Sequence, residues 1–95
     1  MEFDHPTVHT PLAALTVAGA GWEAITLPDK VVFVDVAVTV AACYIVPQIG
    51  TGNPAQNGCL YAVGNHRLPA FNSNRLMCKT ATAKIEATAH CWGAA

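Results

Sequence analysis

VVFVDVAVTV, residues 31–40, alternates along its whole length. Val32, Val34, Val36, Val38 and Val40 fall on one face, and Val31, Phe33, Asp35, Ala37 and Thr39 on the other. AKIEATAHCW, residues 83–92, repeats the pattern, with Ala83, Ile85, Ala87, Ala89 and Cys91 opposed to Lys84, Glu86, Thr88, His90 and Trp92. Successive side chains of a strand point to opposite faces, whereas a helix repeats every 3.6 residues. Both stretches therefore predict long β-strands with one apolar face and one mixed face.

Outward from these two, the chain reads as shorter strands cut by turn residues. Leu12–Ala18 (LAALTVA) and Trp22–Leu27 (WEAITL) are predicted strands, separated by Gly19-Ala20-Gly21. Pro28-Asp29 is a turn dipeptide before the valine strand. CYIV at 43–46 is a further strand closed by Pro47, and CLYAV at 59–63 another. The segment 66–71, with Leu68-Pro69, suits an edge strand, because proline cannot donate to a ladder. RLMCKT at 75–80 is predicted to form a hairpin with the last alternating strand around Ala81-Thr82. Pro47–Gly58 (PQIGTGNPAQNG) is a long loop facing a neighbour or solvent. Residues 1–11, with Pro6 and Pro11, read as an extended arm ordered by what it touches. Seven or eight strands with regular turn signals give an all-β class, an antiparallel β-sandwich of jelly-roll type over residues 12–95.

The chain has 95 residues, five basic and six acidic, with a formal net charge of −1. Charged residues are 12% of the total, about half the usual share. A surface so thinly charged favours cover by other chains. Lys30, Arg67, Arg75, Lys79 and Lys84 are scattered, which argues against nucleic acid. No apolar run is long enough to span a bilayer, and Glu2 and Asp4 stand where a secretory signal would carry positive charge. A cytoplasmic origin is the expectation. Cys43, Cys59, Cys78 and Cys91 form no CxxC pair. Three disulfide pairings exist on paper, and buried free thiols are the reading preferred in a reducing compartment.

No catalytic constellation emerges. Ser73, the single serine, lies in a turn without a G-x-S-x-G elbow. The carboxylates show no acid–base pairing, and the cysteines sit in apolar strands, away from the electropositive surroundings that activate a thiol. Gly19-Ala20-Gly21 lacks the rest of a dinucleotide fingerprint. His5 and His9 are four apart, but the flanking prolines oppose a helical metal site. His90 is expected to pair with Glu86 on the mixed face of its strand. Trp22, Tyr44, Tyr61 and Trp92 read as core or interface anchors, or as a sugar-stacking platform. The sequence thus points to a non-enzyme without cofactor or metal.

The order of features resembles that of small β-domains of tailed-bacteriophage virions. It runs from Gly21-Trp22 through Leu27-Pro28, the valine strand, Tyr44-Ile45-Val46-Pro47 and Leu60-Tyr61-Ala62-Val63 to RLMCKTATAKIEA at 75–87 and Trp92. The resemblance implies a structural virion protein, a capsid decoration (cement) protein on the capsid surface, assembled in the host cytoplasm. Its implied partners are the major capsid protein and further copies in a trimer. Partner-binding side chains would be Phe3, His5, Pro6, Val8, His9 and Pro11 of the arm, with Trp22 and Trp92. The alternative is a receptor- or carbohydrate-binding module of a head or tail fibre; a small metal or redox protein is a third possibility.

Overall fold

A computed structural model describes residues 7–18, 21–56, 58–80 and 82–92. Among these residues nine strands follow in chain order: β1 (Val8–Pro11), β2 (Leu15–Ala18), β3 (Glu23–Thr26), β4 (Val31–Thr39), β5 (Cys43–Gln48), β6 (Cys59–Tyr61), β7 (Gly64–Pro69), β8 (Arg75–Lys79) and β9 (Thr82–Cys91). One sheet runs β1-β9-β4-β7, with β2 continuing the β1 edge along β9. The other runs β3-β8-β5-β6, and every pairing is antiparallel.

The pairing is nested. β5 pairs with β6, β4 with β7, β3 with β8, and the β1–β2 edge with β9. Such a chain is one long hairpin, folded about the β5–β6 tip and rolled so that successive pairs fall in alternate sheets. With β1 and β2 taken as a single interrupted strand, this is an eight-stranded jelly roll, the double-sheet solution to the edge problem. The nesting overturns the expected hairpin around Ala81-Thr82, because β8 and β9 lie in different sheets. RLMCKT and the last strand are contiguous in sequence, but each finds its partners elsewhere.

The core lies between the sheets. Val34, Val36 and Val38 of β4 and Ala83, Ile85, Ala87, Ala89 and Cys91 of β9 face Ile25, Cys43, Ile45, Leu76 and Cys78 of the second sheet. The apolar face of β9 is therefore the one the alternation marks. In β4 the phase slips once. A bulge between Val31 and Phe33 sets two residues against one, so Val31 is buried at 0% exposure and Val32 is not. At the far end Val40 leaves the face entirely, with φ of 77° and 73% exposure. A β-branched residue in the left-handed region is a strained position.

Among the described residues three prolines lie inside strands, and each sits where a strand lacks a second neighbour. Pro11 is on the β1 edge and Pro69 on the edge strand β7. Pro47 does not close its strand; it lies within β5 beyond the reach of β6, which covers only Cys43–Ile45. The same reasoning corrects the arm. Residues 8–11 are a strand of the sandwich, in register from Val8 opposite Cys91 to Pro11 opposite Thr88. The arm's earlier positions, including Phe3, His5 and Pro6, lie outside the described residues.

The long loop is tied to its own molecule. Asn74 Nδ2 donates to the Gly50 carbonyl (3.2 Å), Arg75 donates to the Gly52 carbonyl, and Gly58 lies against the Val46 side chain. Val46 and Met77 face away from the core between the sheets, and Met77 is 3% exposed. The described loop residues nevertheless stay mostly exposed.

Candidate functional site

The mixed faces of β4 and β9 carry a row of polar side chains across the five-stranded sheet, drawn from β1, β9, β4 and β7. The register sets it out. His9 lies opposite His90, His90 opposite Phe33, and Asp35 opposite Arg67. Arg67 grips Asp35 with two bonds, Nε to Oδ1 at 2.7 Å and Nη2 to Oδ2 at 3.0 Å. The same Oδ2 lies 2.8 Å from His90 Nε2, which donates to it. The other ring nitrogen of His90, Nδ1, is 2.5 Å from Nδ1 of His9. Phe33 fills the angle between them: the Arg67 guanidinium stands 4.2 Å from its ring centre, and the His90 ring stacks at 4.5 Å with a 30° tilt. A guanidinium on an aromatic face and a bidentate carboxylate pair are the geometries that orient arginine best.

The electrostatics follow. The Arg67 hydrogen bond, assisted by His90 and by the charges of both, holds the Asp35 carboxyl below its ordinary range against a smaller desolvation effect. The same bond raises Arg67. A group depressed in the folded state contributes stability above its unfolded pKa, and that contribution disappears as pH falls through the folded pKa. Asp35→Asn should therefore flatten the acid limb of the stability curve below about pH 4. The loss at neutral pH should stay under about 1 kcal/mol, because the pair is solvent-exposed. Urea melts at pH 7 and pH 3 measure both; an unchanged acid limb would show that Asp35 does not govern it.

His90 pairs with Asp35 and not with Glu86 as expected, because the register sets Glu86 opposite Ala37. Glu86 instead lines a shallow depression of about 400 Å³ with Asp35, Asn65, His66, Arg67 and Thr88. The strongest donors and acceptors there satisfy one another, so the row is built as an internal clasp across four strands. Among the described residues no group of three or more His, Cys, Asp or Glu side chains is placed to hold a metal ion. His66 is engaged elsewhere, its Nε2 donating to the Ala62 carbonyl at 2.7 Å and its ring edge-on to Tyr61.

Of the anticipated partner-binding residues, His9 joins this row, while Val8 (42% exposed) and Pro11 lie beside it on β1. Trp22 and Trp92 are both half-buried but belong to different sheets. Trp22 flanks β3, with Lys79 Nζ 5.5 Å from its ring centre, whereas Trp92 follows β9 and its N–H donates to the Lys30 carbonyl. Tyr44 lies on β5 and Tyr61 packs on His66, so the four aromatics do not converge on one platform. Sequence spacing offered no hint of the row, because His9, Asp35, Arg67 and His90 follow one another at intervals of 26, 32 and 23 positions.

All four cysteines are free, with Cys43, Cys78 and Cys91 buried and Cys59 exposed. A hydrogen bond with the Cys43 thiol, then burial, pushes the Cys78 thiol far up, and burial raises Cys91. Iodoacetamide at pH 8 should thus modify the folded chain once, at Cys59, and four times in denaturant, as read by intact mass. Fast labelling of a second thiol would contradict the burial.

The chain is five basic and six acidic side chains over 5483 Å² of surface. Among the described residues, its exposed large apolar side chains other than Val8 of β1 gather at the two ends of the roll. Val40 and Val63 flank the Val38–Gly64 pair at one end, with Leu60 on the nearby β6. Phe71 and Ile49 are at the other, where the Asn72 and Asn74 amides donate to the Val31 and Gln48 carbonyls. Among the described residues no helix is long and apolar enough to cross a membrane. No protein-family model, no curated protein and no solved structure matches the chain.

Proposed function

We propose that this protein is a capsid decoration protein, a non-enzymatic cement bound to the outside of a phage-like capsid. The observation that carries the reading is a charge-poor jelly roll with exposed apolar side chains at both ends, Val40 and Val63 at one and Phe71 and Ile49 at the other. Jelly rolls recur in viral capsid and lectin domains. That likeness is one of fold, and the surface must carry the function. The apolar ends would pack against neighbouring copies and against the major capsid protein. Burial of a standard interface, about 1,600 Å², would cover them.

Co-sedimentation of the purified chain with capsids assembled from the major capsid protein of the same genome tests this. Saturable binding is expected, weakened at least tenfold by Phe71→Asp or by Val63→Asp, with circular dichroism unchanged. Light scattering of the free protein should give the mass of a trimer. A truncation probing the arm must stop at residue 7, since residues 8–11 belong to the sheet. A monomer that ignores capsids would end the proposal. The carbohydrate-binding alternative needs ring faces open on one surface. Lys79 over Trp22 and the separation of the two tryptophans do not favour it. Glycan-array binding abolished by Trp22→Ala would restore it.

A further inference from the structure

β1 is held to the five-stranded sheet without a buried side chain. It is four residues long, lies on an edge, and has no buried side chain: Val8, His9 and Pro11 are exposed and Thr10 is half-buried. Its backbone is held by the ladder to β9, bounded by Thr7 N–H to the Cys91 carbonyl (3.0 Å) and Leu12 N–H to the Ala87 carbonyl (2.9 Å). Backbone bonds at a solvated edge exchange readily with water, so side-chain ties decide whether such a strand stays docked. Here the tie is the contact between His9 and His90.

That contact depends on a shared proton. The two Nδ1 atoms are 2.5 Å apart and the ring centres 4.7 Å apart, so the nitrogens lie close to the line between the rings and face each other. Asp35 accepts the Nε2 proton of His90. When His90 is neutral, its Nδ1 bears the lone pair and accepts from His9. When His90 is protonated, its Nδ1 donates to a neutral His9. Either arrangement keeps the bond. With both rings protonated, two N–H groups and two positive charges confront each other without an acceptor.

The surroundings decide which ring leaves. Asp35 of β4, its carboxyl held down by Arg67 of β7, sets a carboxylate oxygen 2.8 Å from Nε2 of His90 and ties that ring to the sheet. Glu86 and Lys84, the other ionisable groups on this face of β9, lie one and two pairs further along the strand, beyond Thr88 and opposite Ala37 and Thr39. β1 and β2 contribute no other ionisable side chain besides His9 among their described residues. His9, exposed and on the loosely held strand, is the ring displaced.

We infer that β1 is a proton-released strand, docked while the His9–His90 pair carries at most one extra proton and freed when it takes a second. Acidification supplies that second proton, so it is the trigger for release. The inference concerns the isolated chain and stands whether or not it binds a capsid.

Amide hydrogen exchange by NMR tests it directly. The protection factors of Thr7 and Leu12, corrected for intrinsic rates, should fall at least tenfold between pH 7.5 and pH 5.0, while that of Ile85 stays unchanged. His9→Asn, which removes the second charge from an exposed site, should make the Thr7 and Leu12 values independent of pH. His66→Asn should leave the drop in place. Equal protection at both pH values would overturn the inference, and so would a drop that persists in His9→Asn.

Discussion

Ile85→Ala should destabilise the protein by about 3–4 kcal/mol and lower its melting temperature by about 15–25 °C. Ile85 is fully buried at the middle of β9, opposite Leu15 of β2 on one side and Val38 of β4 on the other. Its side chain reaches into the gap between the sheets, where it is among the largest fully buried groups. Its alanine neighbours on that face, Ala83 and Ala87, are too short to move into the space. The cavity would therefore remain open, which puts the cost toward the upper part of the range for such truncations. A domain of this size has about 5–10 kcal/mol in total, so the variant would be folded but fragile. Glu86→Ala, one residue along and pointing to solvent, should change stability by less than about 0.5 kcal/mol. Thermal melts of the two variants check this together. Similar losses would mean that the faces of β9 are assigned wrongly.

Gly58→Ala is the second large effect, expected to cost about 2–3 kcal/mol. Two causes add. Gly58 has φ of 70°, in the left-handed region that L-residues occupy at a cost of roughly 1–2 kcal/mol. A Cβ there would also stand 2.9 Å from Cγ2 of Val46, a β-branched and half-buried side chain in mid-strand. Gly50 separates the two causes. It too has positive φ, 97°, but open space where its Cβ would be. Gly50→Ala should lose only the conformational part, about half as much. Denaturant midpoints of the two variants give the difference; if they coincide, Val46 moves aside freely and the loop is not seated on its sheet.

Much of the fold was legible because period-two alternation is strong in β4 and β9, and because turn residues punctuate the rest. Local pattern could not say which sheet each strand joins. β8 and β9 look like a hairpin because they are adjacent, yet nested pairing sends them apart. Proline misled twice, at Pro11 and Pro47, since its effect depends on whether a neighbouring strand lies on its N–H side, a fact of topology. The bulge at Val31 and the left-handed Val40 are equally invisible, for neither residue is a usual choice for such a backbone. In the polar row, the outward direction of Asp35 and His90 was readable from alternation. Their meeting was not: it needs the register of β4 against β9, and the expected partner Glu86 is displaced to face Ala37.

The nested pairing also sets the order in which the molecule can assemble. The β5–β6 tip joins neighbours in sequence, while each outer pair closes a larger loop than the one inside it. Loop closure of this kind slows folding, and all-β domains with distant partners take milliseconds to seconds. β9 is synthesised after β1, β2, β4 and β7, so on the ribosome β1 and β2 must wait without their partner and β4 with one edge unfilled. The nascent chain is then most prone to stick to itself just before Thr82–Cys91 emerges, and a chaperone that shields valine-rich β4 would matter most in that interval.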